Sequence, residues 1–358
     1  MLKPFDEVFE DRTKYGTKIK TDDYHATGTH IIIDQGQEQI AGYTDLEEGL
    51  FTEVPAIIFG DHTRIIKYVD RPFFLGADGV KVLRCRYKDA NYKYLYYALK
   101  SVHIPNTGYN RHFKWLKEAT VFYPDRKTQA KIVETLDKAS VIIEKRQQQL
   151  SALDDLIKAR FVEMFEEPVS KQGPKEKLSE TGKVYTGNTP SMKVPEYYES
   201  DDIPFIKPGD IAESGVTTVR DAASFISKKG RDAARVMPKG SVLVTCIGTI
   251  GKVGIVAQES CCNQQINFIV PNDRYNPIYL AHCLSFFKNV LTDMANAPVV
   301  PIINKSLFSA LEIPTASKIE QDSFAAFVAQ IDKSKSVIQK SLDETQLLFD
   351  SLMQEYFG

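Results

Sequence analysis

The sequence predicts an α+β protein arranged as head, long helix, head, long helix, with the two long helices pairing antiparallel. Three observations predict it. First, apolar residues at Ile132, Leu136, Ala139, Ile143, Leu150, Leu153, Ile157 and Met164 advance in steps of four and three, interrupted only at Arg146 and Arg160. A repeat of 3.5 residues sustained this far marks helix pairing along a seam. Second, the seam returns at an offset of 195 as Phe327, Ile331, Ser334, Ile338, Ser341, Thr345, Leu348 and Leu352. Third, the segments before each seam have a different texture, with short apolar runs between Gly, Pro, Asn and Asp turns.

The resulting boundaries are 1–123 for the first head, 124–168 for the first arm, 169–313 for the second head and 314–358 for the second arm. In the first head, Ile31–Ile33, Ala56–Phe59 and Val80–Leu83 read as strands, and Tyr92–Leu99 as a short amphipathic helix. No Gly or Pro lies between Asp125 and Glu167, so the first arm reads as one continuous helix, its seam running ~50 Å. In the second head, Val242–Val244 and Ile266–Val270 read as strands and Pro277–Phe287 as a helix, with Asn276 as N-cap and Pro277 at the first helical position. The second seam is the more polar, and its natural partner is the first. A helix followed by a whole head returns beside its partner antiparallel if the heads occupy opposite ends.

The chain has 358 residues and a formal net charge of −2, but the charge is unevenly spread. Residues 1–61 hold 5 Lys/Arg and 13 Asp/Glu, whereas residues 62–117 hold 12 and 3. Such a swing predicts a polarised head with one face for phosphates, unless the charges pair across the fold. The opening Met1–Glu7 is charged and lacks an apolar region, so a secretory leader is not expected, and no apolar stretch reads as a membrane span. Five cysteines without a C-x-x-C pair predict a reduced, cytoplasmic protein without structural zinc.

Catalytic and metal-binding motifs are not found. Asn276-Pro277-Ile278-Tyr279 approaches an adenine-methyltransferase motif but has Ile278 where a second Pro belongs. Gly251-Lys252 fails as a phosphate loop, with Cys246 in place of the first Gly and Val253 in place of Ser or Thr. The six histidines show no ligand spacing, and no G-x-G-x-x-G follows a strand. The expectation is a binding protein with no catalytic residue, no metal and no cofactor of its own.

Several motifs together resemble one family. In the second head these are Gly187-Asn188-Thr189-Pro190-Ser191, Tyr197-Tyr198, Ile203 to Ile211, Gly240 to Val244 and Gly248-Thr249-Ile250-Gly251-Lys252. In the first they are Ile57-Ile58-Phe59-Gly60-Asp61-His62-Thr63, Phe73 and Gly76 to Leu83. Both arms open with a Pro-to-Gln run, Pro124 to Gln129 and Pro314 to Gln321. The chain resembles, over essentially its whole length, the specificity subunits of type I restriction–modification systems.

That resemblance implies two target-recognition domains, each gripping one half of a bipartite, asymmetric site on double-stranded DNA, with the paired arms as a ruler. An arm pair of ~50 Å would place the half-site centres ~15 base pairs apart. It also implies two methyltransferase subunits that use S-adenosylmethionine to modify adenine, and nuclease/translocase subunits that use ATP and Mg²⁺. Two other readings stay open: a DNA methyltransferase or other DNA-modifying enzyme, and a coiled-coil scaffold whose heads bind protein.

Polar and basic side chains in loops are the candidates for base-edge and phosphate contacts. In the first head they are His62, Thr63, Arg64, Asn106, Tyr109, Arg111, His112 and Lys114. In the second they are Asn188, Thr189, Ser191, Lys193, Lys207, Lys252, Gln264, Gln265, Asn304 and Lys305.

Overall fold

The computed structural model describes residues 1–76, 78–295 and 300–358, so Ala77 of the first head's motif lies outside the described residues. Two 40-residue helices dominate, Arg126–Phe165 and Lys318–Phe357. Each starts on a local hydrogen-bond device. Asp125 Oδ1 accepts from the backbone N–H of Lys127 and Thr128, and Ser317 exchanges bonds with Glu320 in a capping box. Gln129 Nε2 donates to the Pro124 carbonyl at 2.9 Å, and Gln321 Nε2 to the Ala316 carbonyl at 2.9 Å. Both glutamines are 1 % exposed, which gives the repeated Pro-to-Gln runs a physical purpose: each hooks the incoming chain onto its helix.

The chain forms two compact units, Met1–Arg146 with Lys340–Gly358, and Gln147–Gln339. The helices pack together antiparallel, but each is shared between units where the sequence assigned it to an arm of its own. The reason lies in burial at the helix ends. In the first unit Ile132, Leu136, Ala139 and Phe349 belong to the head's core, with Leu352, Met353, Tyr356 and Phe357 against it. In the second, Phe161 (0 % exposed) and Phe165 (2 %) join Tyr279 and Phe324 in an aromatic cluster with centroids 4.8–5.8 Å apart. Two expected seam positions face outward, Ser334 and Leu348. Leu348 is 55 % exposed, and its neighbour Phe349, at 8 %, is the residue turned inward.

In the first head a four-stranded antiparallel sheet has the order Phe9–Asp11, Val80–Cys85, Ala56–Gly60, Ile66–Val69. A three-stranded sheet has His30–Ile33 between Gly42–Thr44 and Phe73–Leu75, the last pairing parallel. Helix Tyr92–Lys100 starts on Asn91, whose side chain accepts from the Tyr94 N–H.

The second head has a five-stranded sheet in the order Gly182–Thr186, Ile266–Pro271, Val242–Thr245, Val253–Val256, Val216–Val219. A second sheet joins Phe225–Ile226, Ile203–Ile206, Ser260–Cys262 and Val236–Met237. Its helix Pro277–Ser285 starts on Asn276, which accepts from the Ile278 N–H, with Pro277 in the first turn.

Two short ribbons were not legible in the sequence: Leu2–Pro4 with Thr120–Phe122, and Lys175–Lys177 with Glu312–Pro314. Each closes a head just before the chain enters a long helix. The heads also hold more helices than the single one expected of each, including Phe113–Lys117, Lys288–Met294 and Lys305–Ala310. No helix among the described residues is long and apolar enough to cross a membrane.

Candidate nucleic-acid interface

In the first head the candidates meet where strand Ala56–Gly60 ends. Gly60 sits so close to Thr63 and Gln35 that a Cβ there would lie 2.2 Å from Thr63 Oγ1, so the turn requires glycine. Gln35, missed in the sequence, is the centre of this turn. Its Oε1 accepts from the His62 N–H (3.1 Å), its Nε2 donates to the Asp78 carbonyl (3.0 Å), and its own carbonyl accepts from Thr63 Oγ1 (2.7 Å). Lys67 anchors the adjoining segment from beneath, donating to the Glu38 carbonyl at 2.5 Å with Asp34 3.4 Å away. Burial pushes this ammonium below its ordinary pKa, against the opposing pull of Asp34.

The loop between Ile104 and Phe113 lies beside that turn. Arg64 takes φ 63° and donates to the Ile104 carbonyl at 3.3 Å. Tyr109 stacks on His62 with centroids 4.7 Å apart and planes 9° from parallel. Asn106, Tyr109, Arg111 and Lys114 are exposed. His112 is not: it is 0 % exposed, held by Asp61 and Thr107, so it shapes the loop instead of reaching outward.

The predicted charge asymmetry is partly neutralised within the fold. Lys67 pairs with Asp34, Lys81 with Asp11 and Arg86 with Glu10 across the two segments, while Arg12 pairs with Glu53 inside the acidic one and Lys18 with Asp78 in the opposite sense. The Lys18 hydrogen bond holds the Asp78 carboxyl below its ordinary pKa. Arg84 turns inward to the Glu53 and Pro55 carbonyls. Arg111 and Lys114 have no ion pair among the described residues, and Lys114 rests over the Trp115 ring at 4.8 Å.

In the second head four loops converge. The Gly187 N–H donates to the Ile266 carbonyl (2.9 Å), the Cys246 N–H to the Gln265 carbonyl (2.7 Å) and the Ile303 N–H to the Cys246 carbonyl (2.9 Å). Thr189 Oγ1 donates to Gln264 Oε1 (2.8 Å), which leaves the Gln264 amide N–H groups for an outside acceptor. Ser191 accepts from the Lys193 N–H at 3.3 Å in an exposed turn, and Lys305 lies over the Tyr185 ring at 5.8 Å. Lys207 reaches Ser224 Oγ at 2.8 Å and remains exposed. Arg235, also exposed, was missed; its N–H donates to Asn188 Oδ1 at 2.7 Å and its guanidinium bonds the Thr186 carbonyl.

Four candidates here have structural duties. Lys252 is 8 % exposed, salt-bridged to Glu213 at 2.6 Å and bonded to the Pro208 carbonyl, so it is not available to a phosphate. Asn304 caps helix Lys305–Ala310 through the Leu307 N–H. Asn188 uses Oδ1 on Arg235 and Nδ2 on the Ala233 carbonyl. Gln265 accepts from Asn263 Nδ2 at 2.7 Å and is half-buried. No cluster of three His, Cys, Asp or Glu side chains able to hold a metal occurs among the described residues.

Fold and loops together define a class: an α+β protein with two dissimilar heads, each carrying polar loops at its strand ends, and two long helices that pack together. Residues 175–345 match the family described as the type I restriction modification DNA specificity domain. The chain is 27% identical to the EcoR124I/EcoR124II specificity subunit of Escherichia coli over 95% of its own length and 88% of that subunit. A stretch of 145 residues is 34% identical to the HindI specificity subunit of Haemophilus influenzae, covering 39% of this chain and 31% of that one. The fold is similar to the type I restriction–modification S subunit from M. genitalium, with a TM-score of 0.60 at 17% identity, covering 100% of this chain and 96% of that one. The chain is thus similar over nearly its whole length to a type I specificity subunit, and its second half carries the match to the DNA specificity domain.

Proposed function

We propose that this chain reads double-stranded DNA for a type I restriction–modification complex, each head recognising one half of a bipartite, asymmetric site. The observation that carries the reading is the pair of unlike loop clusters, Gly60–Lys114 in one head and Thr186–Lys305 in the other, on a chain with two paired helices. Loops that place donors and acceptors at the ends of rigid strands suit base-edge reading, while exposed Arg and Lys suit phosphates. The paired helices set the distance between half-sites and dock two methyltransferase subunits. Those subunits use S-adenosylmethionine to methylate adenine, and nuclease/translocase subunits use ATP and Mg²⁺ to cut unmodified DNA such as a phage genome. The setting is the cytoplasm, and this chain needs no cofactor of its own.

The test is a head exchange. Replacing residues 1–123 with the first head of another specificity subunit should change one half of the methylated motif and leave the other half intact. Methylome sequencing of a host carrying the hybrid and its partner subunits reads the outcome. Both halves changing together would refute independent reading by the two heads.

A further inference from the structure

Tyr109 is 88 % exposed yet does not hang free. One face of its ring lies on His62, with centroids 4.7 Å apart and planes nearly parallel, and the other face meets solvent. The loop beneath is pinned by its own hydrogen bonds. Asn106 Oδ1 accepts from the Gly108 N–H (3.1 Å), Asn110 Nδ2 donates to the Thr107 carbonyl (2.5 Å), and Thr107 Oγ1 meets His112 Nε2 (3.3 Å). Gly108 takes φ 77°, where a side chain would be strained, with nothing within 4 Å of a built Cβ. Glycine is therefore required there by backbone conformation and not by space. His62 in turn is fixed from below by Gln35, and its Nδ1 is buried without a hydrogen-bond partner among the described residues, so the ring is held by stacking. Ordering a large aromatic ring in water without burying it costs entropy and returns little. The arrangement becomes favourable when a second flat, apolar surface covers the open face.

We propose that the Tyr109–His62 stack is a base-stacking platform: on binding, the open face of Tyr109 packs against a nucleobase of the first half-site and partly unstacks that base step. The proposal rests on the DNA-recognition reading and names the residue that contacts a base by stacking. Its surroundings suit the purpose. Arg111, exposed and without an ion pair among the described residues, stands in the same loop to meet the adjacent phosphates; of the carboxylates nearby, Asp78 is paired with Lys18 at 2.6 Å and Asp61 is buried and bonded to the Phe113 N–H. Side chains wedged at a base step locally unstack the duplex, and base–aromatic stacking tolerates any base because each has a π face. Among the described residues, the ring stack at the second head's loops, Tyr185 on Phe268, does not offer the same platform. Its Phe268 is fully buried and Lys305 lies over Tyr185. Distortion is therefore expected in one half-site only.

The experiment uses the full chain and duplexes it enriches from a randomised pool, with the fluorescent adenine analogue aminopurine placed at successive positions. Wild type should brighten the analogue at one step of the first half-site and at none of the second. Y109F should retain that signal. Y109A should lose it and bind about 5- to 150-fold more weakly, the range expected for loss of one base–aromatic stack. H62A, which removes the underlying ring, should fall between the two. Enriched duplexes that bind wild type and Y109A equally, or tight binding with no brightened position, would overturn the platform while leaving DNA recognition standing. If wild type enriched no duplex at all, the recognition reading would fall and the platform with it.

Discussion

The backbone carbonyl of Asp61 accepts two hydrogen bonds from His112, one from its N–H at 2.7 Å and one from ring Nδ1 at 3.0 Å, while the Asp61 carboxylate accepts from the Phe113 N–H at 2.7 Å. This clamp joins the turn after one strand to the far end of the Tyr109 loop, 51 residues later. Burying these polar groups is tolerable because each has a partner; removing one partner strands the others. His112→Ala should therefore destabilise the first head by ~2–3 kcal/mol. It should also speed proteolytic cutting between Ile104 and Arg111. A variant with wild-type unfolding and unchanged loop cleavage would show that the clamp does not hold the loop.

Arg111 and Lys114 remain exposed while their neighbours are paired or turned inward. Changing both to Gln should weaken DNA binding and reduce the slope of log affinity against log salt by about one unit per lost phosphate contact. The same change at Lys138, Lys145 and Lys158 on the long helix should leave the slope nearly intact; Lys138 is already bonded to Glu134 at 2.7 Å. A salt titration comparing the two sets decides the matter, and equal effects would place the DNA elsewhere.

His282 lies edge-on to Phe324, 5.3 Å between centroids, and burial depresses its pKa from 6.5 to about 4. Lys335 adds a smaller push in the same direction. Because the unfolded chain takes up this proton first, the stability contributed is present above pH ~6.5 and is lost as pH falls toward 4. The full shift corresponds to about 3 kcal/mol. Denaturant unfolding of the wild type should weaken steadily across that window, and His282→Gln should flatten the dependence. An unchanged pH profile in the variant would assign the acid sensitivity to other groups.

The helices offer a test of spacing. One heptad inserted after Arg146 and another after Gln339, where the two compact units divide each helix, keeps the four-three seam in register. The pair should lengthen by ~10 Å, which at 3.4 Å per base pair widens the unread gap by ~3 base pairs with both half-site sequences unchanged. Methylome sequencing measures the gap. An unaltered gap with full activity would mean that the helices are not the spacer.

Periodicity by itself determined the two long helices, because a repeat of 3.5 residues over 33 positions has no other regular backbone that buries it. The central strands Ala56–Gly60, Val242–Thr245 and Ile266–Pro271 were legible for the same reason, as were Asn276 and Pro277 as a helix start, since these signals are local. What only the tertiary structure decided depends on partners distant in sequence. Phe161 and Phe165 looked like ordinary helix residues until Tyr279 and Phe324 enclosed them, more than 110 residues away. Leu348 and Phe349 exchange inside for outside because the first head's core, and not the seam alone, selects the buried face. In the candidate interface, residue type suggested donors but could not separate a reader from a brace. Lys252 and His112 have the composition of DNA contacts, yet Glu213 and Asp61 claim them inside the fold. Gln35 and Arg235 stood in unremarkable segments and acquire their position only from hydrogen bonds spanning 27 and 47 residues. A side chain's chemistry is written in the sequence, but its availability is set by what folds against it.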